Sequence, residues 1–337
     1  MRRHTGFGGN LFSILLATLT MMTVSTNGNW ISGALAQEVK YPSKPVIFLA
    51  QSPPGGGFDN TCRAITTVLA KEKLVTVPMV VDNAPSSAVG PGIVYTRYKG
   101  DPHLITIQSI SIMMMYVTGS TPYQVKDFTQ IAGLLNTYYG IAVRQDSPYK
   151  TLGDLIKDLK EKPGKTPLSG GRSDDRVFYG AVFSKAGVDI SKINYVAFGG
   201  GSEASVLVLE GSGKALVTTI DDVLGLVEAK RLRFLAVSLG KRATSGLLKD
   251  VPTLKEAGVD LEWSNTRYAQ GPPSMPSYAV KYWQDTFAKM VTTPSWKEVL
   301  KRYNWEDAFM REGLGEYLEK RQVVVADVLK KLGMAKK

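Results

Sequence analysis

Three times in this chain a short apolar run gives way to a glycine-rich turn and then to apolar residues at helical spacing. The first instance is the sharpest. Val46-Ile47-Phe48-Leu49-Ala50 reads as a buried strand. Ser52-Pro53-Pro54-Gly55-Gly56-Gly57-Phe58-Asp59 follows, and Ile65, Val68 and Leu69 then repeat as on a helix. Consecutive glycines in a strand-to-helix turn leave backbone N–H groups unscreened at the positive end of a helix dipole. Such a turn suits a carboxylate or a phosphate. A tight turn that needs glycine only for its dihedral angles would read the same way. Asp59 is placed to cap the helix.

The second turn is Leu168-Ser169-Gly170-Gly171-Arg172-Ser173-Asp174-Asp175, ahead of a helix carrying Val177, Phe178, Ala181 and Val182. The third is Gly199-Gly200-Gly201-Ser202-Glu203, between an expected strand over 193–197 and a helix over 203–209. Further strands are expected over 77–81, 104–108, 134–143, 215–219 and 234–238, and an amphipathic helix over 152–159. Residues 113–116 read as irregular, 250–258 as a short helix ended by glycine, and three helices close the chain. The alternation predicts α/β architecture with a mainly parallel sheet. In such sheets ligands bind at the carboxyl ends of strands. The run 134–143 reads as a passage between two domains and 234–238 as the return. Facing turns on two domains would enclose a cleft that closes by hinge motion.

The first residues have the three parts of a secretory signal. Arg2 and Arg3 precede a mostly apolar stretch from Leu11 to Val24, and Ala34-Leu35-Ala36 offers a small-x-small cleavage site. The apolar stretch is shorter than the roughly 20 residues a spanning helix needs. Cleavage after residue 36 predicts an exported, soluble chain of about 300 residues, enough for two domains. His4 leaves with the signal, so His103 is the one histidine and Cys62 the one cysteine that remain. No internal disulfide and no His/Cys-rich zinc site can form, and His103 reads as a turn residue. The precursor carries +11; the signal removes two positives and no acids, leaving +9. That excess favours anionic partners. The charges are interspersed, without basic blocks and interleaved aromatics, so nucleic acid is not expected.

The motifs, in order, resemble the solute-binding proteins of tripartite tricarboxylate transporters, the Bug receptors. The resemblance spans residues 41 to near the C-terminus. Pro54 to Asp59 with Thr61-Cys62-Arg63 is similar to the first ligand loop of the subgroup nearest the citrate receptors. Lys126-Asp127-Phe128, Phe198 to Ala204, Leu232 to Val237 and Asp250 to Gly258 follow in family order. The resemblance implies a two-domain, periplasmic-binding-protein-like clamshell of type II, with residues 37–137 and 239–337 in one domain and 138–238 in the other. It implies a receptor, not an enzyme, that works without cofactor or metal, probes the periplasm as a monomer and passes a small organic anion to membrane permease subunits. Carried over by motif, the ligand contacts are Pro54, Gly55, Gly56, Gly57, Phe58 and Asp59, then Ser169, Gly170, Gly171 and Ser173, then Thr218, Thr219 and Asp221. The chain departs from the family at Pro85-Ser86-Ser87-Ala88-Val89, where loop glycines are lost, and in the loop carrying Arg172. Arg172 is placed either to meet an extra ligand carboxylate or to pair with Asp174 or Asp175. Arg267, in a segment similar to the subgroup's Asn-Trp-Arg-Gly, is able to grip a carboxylate with two parallel bonds. Tyr138, Tyr139 and Phe178 are pocket walls or core.

A di- or tricarboxylate is the expected cargo. Two other functions use the same turns: ligand sensing for a membrane signalling protein, and nucleotide binding by an exported enzyme. The second lacks support, since Gly55-Gly56-Gly57 is followed by Phe58-Asp59-Asn60 and not by the spacing of a dinucleotide fingerprint or a phosphate loop.

Overall fold

The structure is a computed structural model that describes residues 40–171, 174–244 and 246–336. The expected signal peptide lies outside the described residues, as do Arg172 and Ser173. Among the described residues no helix is long and apolar enough to cross a membrane.

The chain opens with β1 (Val46–Ala50), α1 (Gly57–Lys71), β2 (Met79–Asn83), α2 (Gly90–Arg97), β3 (Leu104–Gln108) and α3 (Ser111–Val117). β1 pairs in parallel with both β2 and β3. The long strand β4 (Thr129–Arg144) follows. Next come α4 (Leu152–Glu161), β5 (Leu168–Gly171), α5 (Asp174–Lys185), β6 (Tyr195–Phe198), α6 (Gly201–Leu209), β7 (Ala215–Thr219), α7 (Ile220–Glu228) and β8 (Leu232–Val237). Here β5 is the parallel centre, between β6 and β7. The chain ends with β9 (Ser264–Gly271), α8 (Ser277–Met290), α9 (Pro294–Tyr303), β10 (Glu306–Met310) and α10 (Leu314–Lys331).

The sheet order is β2-β1-β3-β9-β4-β7-β5-β6, with β10 and β8 also on β4. β4 serves two parallel groups at once. Its residues 129–138 pair antiparallel with β9 and, in part, β10, while residues 139–144 pair antiparallel with β7 and β8. The expected parallel sheet is therefore mixed. Each βαβ group is parallel within itself, but the strands that join the groups, β4 and β9, run against their neighbours. This is the α/β clamshell class expected from the sequence.

Three hydrophobic clusters hold the layers. Phe48, Ile65, Leu69 and Ile105 pack with Trp283, Phe287 and Trp296 on the first group. Ala142, Val208, Leu216, Ile220 and Val237 pack under α6 and α7. Tyr139, Leu155, Phe178 and Val217 join Leu318 and Val325 of α10 in the third cluster. The amphipathic run at Leu152, Leu155 and Leu159 becomes α4, and Thr151 with Asp154 closes a reciprocal capping box at its start.

Three local expectations are corrected. Residues 113–116 are not irregular: they lie in α3, and all three methionines are buried core. Residues 250–258 form no helix. Thr253 and Glu256 make the cap bonds of one, but the Leu254 N–H donates to the Val237 carbonyl and draws the segment onto the end of β8. The closing helices are interrupted by β10, which pairs with β4.

Candidate functional site

The first glycine turn leaves β1 at the carboxyl end of the sheet. Beneath it lies a buried amide network. Gln51 Nε2 donates to Thr106 Oγ1 at 2.9 Å, and Gln108 Nε2 donates to Gln51 Oε1 at 2.9 Å. Gly55 has φ +79°, a left-handed conformation that favours glycine. The residue that caps α1 is Gly56, not Asp59, which lies one turn in. Asp59 is buried, and its carboxylate is committed on all sides. It accepts from the Gly55 N–H at 2.9 Å, from Arg63 Nε at 3.0 Å and from Asn83 Nδ2 at 3.0 Å. Burial alone would raise its pKa; the bonds from Arg63, Gly55 and Asn83 outweigh this and hold it below the usual carboxylate value. The turn thus consumes one of its own amides. The Asp59 N–H donates to Ser52 Oγ at 3.3 Å and the Asn60 N–H to the Gly56 carbonyl. The Gly57 and Phe58 N–H groups meet no acceptor among the described residues. Donors at a helix start suit an anion. Pro54 and Gly55 are exposed at the lip.

Arg267, on β9, lies against this turn with a side chain only 5 % exposed. Its Nη1 donates to Thr61 Oγ1 at 2.7 Å, and Thr61 Oγ1 donates in turn to the Gly57 carbonyl at 2.7 Å. A Cβ at Gly57 would come 2.7 Å from Arg267 Nη2, so glycine here is what lets the guanidinium rest on the turn. The indole of Trp305 lies 5.4 Å from the guanidinium carbon. The same Nη1 meets Asp221 Oδ2 of α7 at 3.4 Å, and both side chains are buried.

The turns of the second group are filled differently. Ser169 Oγ is buried and donates to the Ala204 carbonyl at 3.0 Å. At Gly170 a Cβ would stand 2.2 Å from Tyr195 Oη and 2.3 Å from the Val217 carbonyl oxygen, so its glycine serves strand packing. The Gly171 N–H donates to Asp175 Oδ2 at 2.7 Å, and the Gly199 N–H to Glu203 Oε2 at 2.8 Å. The Gly201 N–H donates to Asp222 Oδ2 at 3.1 Å, which Thr218 Oγ1 also approaches at 3.3 Å. Gly55 with Asp59, Gly171 with Asp175 and Gly199 with Glu203 are the same device. In each, a glycine amide before a helix is satisfied by the acid four residues on.

These acids gather. Asp175 is buried, and burial together with the charges of Asp174 and Asp222 pushes its carboxyl well above the usual range. Burial, with the Asp221 charge beside it, pushes Asp222 up to about 7. Asn265 Nδ2, two residues before Arg267, donates to Asp174 Oδ2 at 2.6 Å. Thr219 Oγ1 and Asp221 Oδ1 are buried with no hydrogen-bond partner among the described residues. The sequence reading found no carboxylate cluster. Asp174 and Asp175 stand far from Asp221 and Asp222 in sequence, and only the adjacency of β5 to β7 brings them together. Thr61, Trp305, Gln51, Gln108 and Asn265 were likewise absent from it as site residues. Tyr139 is core, stacked 4.6 Å from Phe178, whereas Tyr138 is half-buried and bonds to Glu306.

A separate cavity of about 880 Å³ is lined by Tyr138, Lys241, Arg242, Glu262, Trp305 and Arg321, among others. None of the expected ligand residues reaches it, and Trp305 alone joins it to the Arg267 cluster. Among the described residues no group of three or more His, Cys, Asp or Glu is arranged to hold a metal.

The model of the tripartite tricarboxylate transporter family receptor matches residues 63–324. The chain belongs to this receptor family. A curated relative, the UPF0065 protein in the gbd 5′ region of Cupriavidus necator, is 26% identical over 312 residues, 90% of this chain and 92% of that one. Among solved structures, a TctC solute-binding protein from Polaromonas, without ligand, aligns with a TM-score of 0.65 and 26% identity, over 86% of this chain and 99% of the other. An R. palustris protein solved with adipate aligns with a TM-score of 0.77 and 20% identity, over 88% of this chain and 99% of the other. The matched family is one of transporter receptors and the Polaromonas neighbour is a solute-binding protein, which gives the glycine turns a context of solute capture.

Proposed function

We propose that this chain is a periplasmic receptor that captures a small organic carboxylate and delivers it to the permease subunits of a tripartite tricarboxylate-type transporter. The observation that carries this reading is the buried Arg267 guanidinium lying against the start of α1, its Nη2 2.7 Å from where a Cβ of Gly57 would stand. Two N–H donors at a helix start and one guanidinium make a charge-assisted seat for one carboxylate. The adipate bound by the R. palustris neighbour is a ligand of that chemical class. The expected citrate-like subgroup rests on Pro54 to Asp59 and Thr61-Cys62-Arg63. In this reading residues 37–137 and 239–337 form one lobe and 138–238 the other, with β4 as the crossing, and a signal peptide over 1–36 exports the chain.

The test is calorimetry on protein unfolded and refolded to strip bound ligand, titrated with citrate, succinate, glutamate and nicotinate, and with NAD and ATP. Binding of an acid that is lost in Arg267→Ala is the expected result. Binding of a nucleotide and of no acid would overturn the reading.

A further inference from the structure

The cavity of about 880 Å³ stands apart from the carboxylate seat. It is bounded by Tyr138 at the middle of β4, Ser238 just after β8 and Ser264 at the start of β9. Leu239, Leu248, Trp263, Leu300 and Trp305 give it an apolar lining. Four cations line it as well: Lys241, Arg242, Lys301 and Arg321. Arg242 is already paired with Glu256 at 3.1 Å. The other three meet no carboxylate among the described residues. Arg321 is the most confined of them. Its Nη2 donates to the Ser264 carbonyl, and its guanidinium carbon stands 4.7 Å from the centre of the Trp263 ring. Its Nε is buried with no hydrogen-bond partner among the described residues. Elsewhere on α10, Lys320 and Lys331 each pair with an acid one turn back. Two acids also line the cavity, Glu262 and Glu306. Glu306 is held by the Tyr138 hydroxyl, while Glu262 is exposed and meets no cation among the described residues.

A guanidinium laid against an indole and short of acceptors calls for an anion. One carboxylate would answer one of the three cations. A phosphate monoester carries a charge of about −1.5 to −2 at neutral pH on three acceptor oxygens, enough for all three. Lys241 and Lys301 are exposed, on flexible stems that can turn toward a bound group. The leucine and indole surface beside them suits an apolar organic body, and the volume is that of a small-molecule site. We propose that this cavity binds an organic phosphate monoester, its phosphoryl group on Arg321, Lys241 and Lys301 and its ring or chain against Trp263, Trp305 and Leu300. The site is separate from the carboxylate seat and stands or falls independently of it.

Phenyl phosphate is the probe, with phenol, benzoate and inorganic phosphate beside it, in calorimetry on the refolded protein. Arg267→Ala silences the carboxylate seat, so the titrations are made with and without that substitution. Phenyl phosphate should bind Arg267→Ala within fivefold of the unsubstituted protein, and there at least tenfold more tightly than each of the other three. Arg321→Met should weaken it at least tenfold, and Glu262→Gln should strengthen it about twofold. Should Arg321→Met fail to fold by circular dichroism, the double substitution Lys241→Ala with Lys301→Ala, at exposed positions, should also weaken it at least tenfold. No binding of phenyl phosphate, binding lost in Arg267→Ala, benzoate binding as tight as the ester in Arg267→Ala, or an affinity untouched by the cation variant that folds overturns the proposal. An acid that binds the unsubstituted protein and not Arg267→Ala keeps the carboxylate-receptor reading, whatever the ester does.

Discussion

The glycine turn after β1 and the glycine turns after β5 and β6 read alike in sequence and end in opposite uses. After β1, Gly57 keeps a side chain away from Arg267 and leaves two amides open. At the end of β5, Gly170 is wedged between Tyr195 and the β7 backbone, and the amide of Gly171 is already taken by Asp175. Glycine thus marks close approach in both places, but the approaching group differs: the end of a side chain in one, a strand backbone in the other. The identity of the neighbour, not the glycine, separates the two turns.

The largest effect that would separate the two is Gly170→Ala. A methyl 2.3 Å from the Val217 carbonyl cannot be relieved by a side-chain rotation, because the obstacle is the backbone of a central strand. A stability loss of about 3 kcal/mol or more is expected in denaturant titration, and an unchanged midpoint would erase the distinction. Gly57→Ala should do the reverse. Its obstacle is the end of the flexible Arg267 side chain, so stability should fall by less than about 1 kcal/mol while affinity for the acid drops about tenfold, the equivalent of ~1.4 kcal/mol.

A pH-dependent effect concerns the acids that fill the second set of turns. Burial and Asp221 raise the Asp222 carboxyl to about 7 in the folded chain. Unfolded, it returns to about 3.9. The native state therefore binds the proton more tightly, so this group's contribution is whole below about pH 4 and is lost as pH climbs toward 7, by at most about 1.4 kcal/mol per pH unit. Asp222→Asn should flatten that slope in urea midpoints taken across this range. A slope that persists would assign it to Asp175 instead.

Elements with local signals were legible in the chain. β3 and β7 fall where the apolar runs placed them, over Leu104–Gln108 and Ala215–Thr219. β9 was not, because Ser-Asn-Thr-Arg-Tyr-Ala-Gln-Gly has no apolar alternation; it is a strand by virtue of lying between β3 and β4. Arg267 could be singled out by residue type and neighbours. Its partners could not: Thr61 and Asp221 come from opposite parts of the chain, and only the assembled sheet brings them to one guanidinium. The cap bonds at Thr253 and Glu256 show the converse, a genuine helix signal overruled by a sheet bond at Leu254.

β4 has a consequence for how the chain can be divided. Its sixteen residues are interior to the sheet at both ends, flanked by β9 and β10 over one half and by β7 and β8 over the other. A gene broken within it would strand two exposed edges in each product, and such edges invite aggregation.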